Sequence, residues 1–531
     1  MGKQYDAIVI GAGHNGLTAA AYLAKAGLKV GVLEKNNFIG GATNTIECTL
    51  PGFKHDVGGI IHHIIRENPM LRNDELGLHS KFGLKYVQPE INTVNLFDDG
   101  TSMVLHKSVE ETCKQIAQWS EEDAESYARF IDYTMPMMPL INQGMFNPPP
   151  DFGAMMNQLD KSPVGRELIR IMMMSIWDIA HQWFKHPKTL MHVLKAPTEP
   201  MVGMEEKGTG AYLVVVITGN HVEGGGASLA VGGSGMLAKA LTDCIESYGG
   251  EVLTNQEVVK ITTSGGRATG VVTAEGEEYT AKHSIIANID ARIVINRWLG
   301  EDAVSSNLRA KVDRIQNASF SGMMIAAALD EAPRYKASDT AHKATYVEPL
   351  PTDINAFRSM FDDLRYGRLP KKEAMAPMVV VPTEHDPSRA PEGKHVLYLW
   401  YYCPYELADG GKEKWASIKE EFADTVQDRY FSFTTNMTKE KVLKRTVFSP
   451  VDLENFNNNL YQGNIVGIGA FMNQMYSYRP IPELGHYRTP VEGLYLSGMH
   501  THPGGSIIGA GRAQVQVVLE DLGIDFDDVI S

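Results

Sequence analysis

The chain has 531 residues, too many for one simple core and, at roughly 150 residues per domain, enough for about two to four. Apolar residues make up 43% and charged residues 21%, an ordinary globular composition that excludes a fibrous or disordered chain. A net charge of −15 argues against nucleic acid as a partner and against a polybasic grip on anionic membranes.

Cys48, Cys113, Cys244 and Cys403 lie far apart with no CxxC pair, so neither a disulfide framework nor a zinc or iron–sulfur site is expected. Reduced thiols in the cytoplasm are the simplest reading. The first residues run into an apolar strand without a charged leader and cleavage site, and Asp6 stands where acylation at Gly2 needs Ser or Thr. No stretch approaches about 18 uninterrupted apolar residues.

Residues 6–10, Asp-Ala-Ile-Val-Ile, read as a short buried parallel strand. Gly11-Ala-Gly-His-Asn-Gly16 follows, then an alanine-rich helical pattern from Leu17 to Ala26 and a stop at Gly27. A second strand runs from Leu28 to Leu33 and finishes at Glu34. Gly11 permits the tight turn, Gly13 lets a pyrophosphate approach the backbone, and Gly16 lets the helix pack on the sheet. The helix N-terminus offers free amides and its positive dipole end to phosphate, and Glu34 is placed to accept ribose hydroxyls. A GxGxxG alone is a weak signal, and a glycine-rich turn of another α/β fold is its rival. Here strand, turn, helix, strand and acid stand in order. Gly40-Gly41 adds a second close approach, and no second unit of this kind occurs, so a dedicated NAD(P)H domain is not expected.

With His14-Asn15 inside the fingerprint, and Gly40-Gly-Ala-Thr43 followed by Pro51-Gly-Phe53, the chain resembles FAD enzymes of the glutathione-reductase type. The phytoene desaturase-like branch is the nearest in character. The resemblance implies FAD as cofactor, with Gly11, Gly13, His14, Asn15, Gly16, Glu34, Lys35, Gly40, Gly41 and Ala42 around it. Ala42-Thr43 departs from the arginine that many relatives carry there. The stretch Tyr487 to Arg512 resembles the family segment that covers the ribityl and isoalloxazine end of FAD. It reads as a strand from Gly493 to Ser497, a Pro503-Gly-Gly505 loop and a helical pattern to about Leu522. This adds Gly498, Met499, Gly504, Gly505, Ser506 and Ile507, with Met499 standing where many relatives have Asp. Between these ends, Val231 to Leu237 leads into a helix to Tyr248, and a strand follows over 251–261. Its Val258-x-x-Ile261 spacing resembles the family strand that touches adenine. Residues 267–287 alternate around Gly276 as a hairpin does.

The implied architecture is α/β, with a Rossmann-type, glutathione-reductase-like FAD-binding domain assembled from residues 1–95, 226–300 and 455–531. An interleaved α+β substrate domain takes 96–225, which is Met-rich and helical, and 301–454. Residues 135–204 hold 12 of the 25 methionines, suited to the deformable wall of an apolar tunnel or to plain core. Within them Arg166 to Phe184, with Trp177 and Trp183, reads as one helix. Tyr398-Leu-Trp-Tyr-Tyr402 reads as a strand whose alternate residues face a cavity.

Histidines cluster at His55, His62 and His63 and at His500 and His502, without the carboxylates or HxxxH spacing of a metal site, so no metal is expected. His63, His502 and Tyr478 are the candidates for taking a proton while hydride leaves to flavin N5, with His62, His500 and Tyr476 as their neighbours. The bland alternative is that these histidines only bond backbone. The function implied is a desaturase or dehydrogenase forming a C=C bond in an apolar, isoprenoid-like or alicyclic small molecule. The alternatives are a carotenoid-type ketolase, saturase or isomerase, an amine oxidase, a desaturase of cyclic ketones or cyclic acids using Arg66, Arg479 or Arg488, and a non-catalytic flavoprotein. Dioxygen or a quinone is the expected electron acceptor; peripheral membrane contact and a homo-oligomer are further options.

Overall fold

A computed structural model describes residues 3–531; Gly2, weighed above for acylation, lies outside the described residues. Two seven-stranded sheets organise the chain. The apolar run before the fingerprint is the strand Gln4–Ile10, buried throughout its C-terminal half. It pairs in parallel with Val30–Leu33 on one side and with Glu278–Ala287 on the other. Glu251–Leu253 extends the sheet beyond Val30–Leu33, and Leu494–Leu496 pairs in parallel with the C-terminal end of Glu278–Ala287. The hairpin around Gly276 forms as expected, with Arg267–Thr273 antiparallel to Glu278–Ala287. The strand expected over 251–261 is instead two, Glu251–Leu253 and Val258–Ser264, because Asn255 turns the chain at a positive φ of 56°.

The fingerprint helix is His14–Lys25, three residues earlier in its start than the apolar pattern suggests, and it is buried along nearly its whole length. It packs beside Gly235–Ser247 and Gly511–Asp521. Close approach there depends on missing side chains. A Cβ on Gly16 would collide with the Gly11 carbonyl, and one on Gly511 would collide with that of Asn15.

The second sheet runs Val442–Phe448, Ser321–Leu329, His395–Cys403, Met378–Val380, Ala344–Leu350, Ile91–Phe97 and Ser102–His106. A division at residue 95 would cut Ile91–Phe97, which pairs in parallel with Ala344–Leu350 and so belongs wholly to this sheet. The helices of residues 109–213 pack against it in one apolar core. The single helix expected over 166–184 is two, Pro163–Met173 and Ile176–Trp183. Ser175 ends the first by capping the second: its hydroxyl accepts from Asp178 N (3.1 Å) while the Asp178 carboxylate accepts from Ser175 N (3.0 Å). No helix among the described residues is long and apolar enough to cross a membrane.

Candidate active site

The first βα turn and the glycine pair form one continuous backbone surface. Gly11 N donates to Leu33 O, Gly40 N donates to Ala12 O, and Gly13 bridges to Gly40. A Cβ on Gly41 would sit 3.3 Å from Gly13 Cα, while one on Gly13 would meet only Asn288 Nδ2. The backbone around Gly13 is therefore kept bare by glycines whose Cβ atoms would have no room. Glu34 is buried, and its carboxylate accepts from Ala12 N (2.8 Å) and Asn36 N (2.9 Å), which fixes it beside the loop. Lys35 reaches Asn458 instead. Val258 opens the antiparallel edge strand, and the chain just before it meets Glu34 through Gln256 N to Glu34 O.

Asn288, at the end of Glu278–Ala287, escapes sequence reasoning altogether. Its amide donates to Gly11 O (3.3 Å), and a Cβ on Gly16 or Gly498 would run into its side chain. One asparagine thus spaces the two glycine loops that lie nearly 500 residues apart.

Beyond these loops opens a cavity of about 810 Å³ whose walls are overwhelmingly apolar. His14, Ala42, Thr43, Gly58, Gly59 and His63 line one side, and Met499, His502 and Pro503 to Ile508 line another. The two loops touch: a Cβ on Gly59 would fall 2.6 Å from Ile507 Cδ1. The segment 140–159, with Leu168 and Met172, closes the cavity, and Tyr398 and Trp400 reach in from the second sheet. Tyr398 donates to Gly58 O (2.6 Å), tying that sheet to the first loop. Of the twelve methionines in 135–204, Met145, Met155 and Met172 line the cavity, while Met137, Met138, Met191, Met201 and Met204 are core, and Met173 is neither. It stands 60% exposed, because the helix turns Met172 inward.

The loop after Gly505 does not enter a helix at once. Residues 506–510 are irregular and the helix starts at Gly511, so the Pro503-Gly504-Gly505 amides are loop amides and lack the helix dipole. Gly505 packs directly on the Val466 backbone. Arg479, fully buried, holds this assembly from inside: its guanidinium donates to the carbonyls of Val466, Ile468, Gly469, Gln474 and Met499. Its Nε alone is buried without a partner, and Arg479 is among the residues lining the cavity. Arg488 is spent on Asp521 and Glu520, and Arg66 on Gln88.

Of the proton-accepting candidates, His63 and His502 line the cavity and Tyr478 does not. Tyr478 stacks on Phe152 at 4.9 Å between ring centroids, and its neighbour Tyr476 takes the cavity position because the two alternate along a tight 3₁₀ turn. His63 Nε2 and His502 Nδ1 are buried and meet no partner, while His502 Nε2 bonds Gly144 O (2.7 Å). His62 points away, to Tyr86 Oη (2.9 Å) and Ser234 Oγ (3.0 Å). His14 bonds Thr43 Oγ1 (3.0 Å) and leaves Nε2 free.

Burial pushes His14, His63 and His502 down to about 4 and His62 down to about 3, all neutral near pH 7. The unfolded chain takes protons on these rings near pH 6.5 and the folded chain refuses them. Their contribution to stability is therefore complete above pH 6.5 and declines as pH falls toward 4, on the order of 3 kcal/mol for each ring. Thermal melting followed across a pH series should show a flat upper region and a steep loss between pH 6.5 and 4. A melting temperature constant across that window would contradict the buried neutral rings.

A glycine cradle that any Cβ would fill, a buried acid fixed beside it, and unpartnered His14 Nε2 and Asn15 Oδ1 next to an apolar cavity fit a flavin dinucleotide. Fold and site together define a dinucleotide-binding oxidoreductase. Residues 16–295 match the flavin containing amine oxidoreductase family, and the chain belongs to that family. It is 30% identical to the rat (Rattus norvegicus) pyridine nucleotide-disulfide oxidoreductase domain-containing protein 2, over 98% of this chain and 94% of that one. It is 26% identical to a limonene dehydrogenase subunit of Castellaniella defragrans, over 100% of this chain and 98% of that one. Against the lycopene-forming phytoene desaturase of a Paracoccus species, identity is 25% over 97% of each chain. The protein is an FAD-dependent oxidoreductase of the amine-oxidase and phytoene desaturase type.

Proposed function

We propose that this oxidoreductase desaturates or dehydrogenates an apolar alicyclic or isoprenoid-like small molecule. The observation that carries this reading is the apolar cavity of about 810 Å³ lying against both glycine loops. The names of two relatives, a limonene dehydrogenase subunit and a phytoene desaturase, support it.

In this reading the first sheet and its helices, from 1–95, 226–300 and 455–531, hold FAD, and the segments 96–225 and 301–454 hold substrate, with the boundary near 95 moved to precede Ile91–Phe97. The amides of Gly13 to Gly16 face the pyrophosphate, Glu34 the ribose and the Val258 strand the adenine. Gly40 to Ala42 and Gly498 to Ile507 enclose the remainder. Bound FAD supplies a hydride acceptor at its N5 atom. The chain contributes position, a dry cavity and a sink for the proton that leaves beside the hydride. His63 Nε2 and His502 Nδ1 are the proton acceptors, each neutral, buried and unpartnered at the cavity wall. Four free thiols favour a reducing, cytoplasmic setting.

The test is anaerobic bleaching of the bound flavin by a panel of monoterpenes, carotenoid precursors, cyclic ketones and cyclic acids. Rapid loss of the flavin absorbance is expected with apolar members of the panel. Bleaching by the cyclic acids alone would overturn the reading.

A further inference from the structure

Tyr476 stands apart from the rest of the cavity wall in two independent ways. The first is its backbone. It holds φ at 57°, a left-handed conformation uncommon for a bulky residue and kept only where the surroundings over-determine it. They do so here. The Tyr476 carbonyl accepts from Arg479 N (3.1 Å), and a Cβ on Gly485 would fall 1.7 Å from the Ser477 carbonyl oxygen. The Tyr476 ring lies 6.2 Å from that of His502 and 6.4 Å from that of Phe152, between centroids. The strained turn thus sets one side chain into the cavity beside the loop that carries His502.

The second is its hydroxyl. Tyr476 is half-buried, and its Oη bonds none of the described residues yet is not sealed inside protein. Because the residue lines the cavity, the open side of that hydroxyl is cavity surface. Other donors of the wall are engaged: Tyr398 on Gly58 O (2.6 Å), Arg479 on carbonyls such as Met499 O (2.8 Å), and Tyr212 weakly on Met475 Sδ (3.9 Å). Burial holds the Tyr476 hydroxyl above the usual tyrosine range, so near neutral pH it is a protonated donor and not a base. An open donor in an apolar chamber calls for an acceptor.

We infer that Tyr476 binds a carbonyl oxygen of the substrate, which is therefore an apolar ketone and not a bare hydrocarbon. A carbonyl needs only a donor, and Tyr476 Oη supplies it. A hydrocarbon leaves the hydroxyl unpaired. An alcohol brings a hydrogen of its own to place, whereas Arg479 in the same turn carries donors alone. With the oxygen held there, electron density is drawn from the adjoining carbon, whose C–H gives up its proton more readily. This rests on the cavity being the seat of an apolar substrate.

The experiment uses the flavin-loaded protein with cyclooctanone and cyclooctane as probes. Dissociation constants are read from the perturbed flavin absorbance, and the carbonyl stretch of bound ketone from infrared difference spectra. In the parent that stretch should lie below its value for the ketone in hexane, a measurement that needs no variant. Tyr476→Phe keeps the ring and removes only the hydroxyl; Tyr478→Phe, whose ring stays out of the cavity, is the control. Tyr476→Phe should weaken ketone binding roughly three- to tenfold, raise the carbonyl frequency and leave hydrocarbon affinity within about twofold. Tyr478→Phe should change none of these. An unshifted carbonyl in the parent, a ketone affinity unchanged in Tyr476→Phe, or equal weakening of both probes overturns the subsite while the apolar-substrate reading stands. Failure of both probes to bind overturns the two together.

Discussion

Arg479→Met should fail to accumulate as folded protein, or should melt at least about 10 °C below the parent. The guanidinium, 1% exposed, bonds five backbone carbonyls drawn from residues 466–474 and from Met499. Methionine fills similar space but supplies no donor, so four of those carbonyls become buried and unpaired, Gly469 O keeping its bond from Gln474 Nε2 (3.2 Å). At about 1 kcal/mol or more each, the loss is roughly 4 kcal/mol, a large part of the 5–15 kcal/mol that holds a typical domain. Burial lowers the Arg479 pKa only to about 10, so the side chain is still a cation at neutral pH and its bonds are charge-assisted. Melting followed by calorimetry and circular dichroism decides the matter. A variant that melts with the parent but no longer turns over would show instead that Arg479 serves the substrate.

Gly504→Val should purify with less than about a tenth of the parent flavin while remaining folded. Gly504 holds φ at 124°, a conformation closed to β-branched residues, and an added Cβ would lie 3.4 Å from the Arg479 guanidinium. The strain, on the order of 1–3 kcal/mol, is relieved only if the loop leaves the conformation that faces the cavity. Its cost therefore falls on the flavin-holding state more than on the fold. The ratio of flavin to protein absorbance after gel filtration reads the result. Full occupancy would remove the 503–505 loop from the cofactor site.

The first βα unit was legible because its signals are local. A buried strand, three glycines at fixed spacing, an alanine-rich helix and an acid after the second strand each constrain their own few residues, and the structure keeps them in order. The errors fall where a local pattern competes with a contact. The apolar run 166–184 carries a helical period, yet Ser175 and Asp178 cap a new helix inside it. Pro503-Gly-Gly reads like a helix start, yet packing of Gly505 on Val466 sends the chain through five irregular residues first. Tyr476 and Tyr478 are indistinguishable as letters, and only the turn between them decides which one enters the cavity.

Sequence alone determined the dinucleotide unit, the flavin resemblance at both ends of the chain and the apolar character of what lies between. Only the tertiary structure decided that Asn288 spaces the two glycine loops, that Arg479 gives most of its guanidinium to carbonyls, and that Tyr476 rather than Tyr478 lines the cavity. The reason is the range of the interactions. Turn and helix preferences act over a handful of residues and leave a spacing to read, whereas a hydrogen bond between residues hundreds apart leaves none.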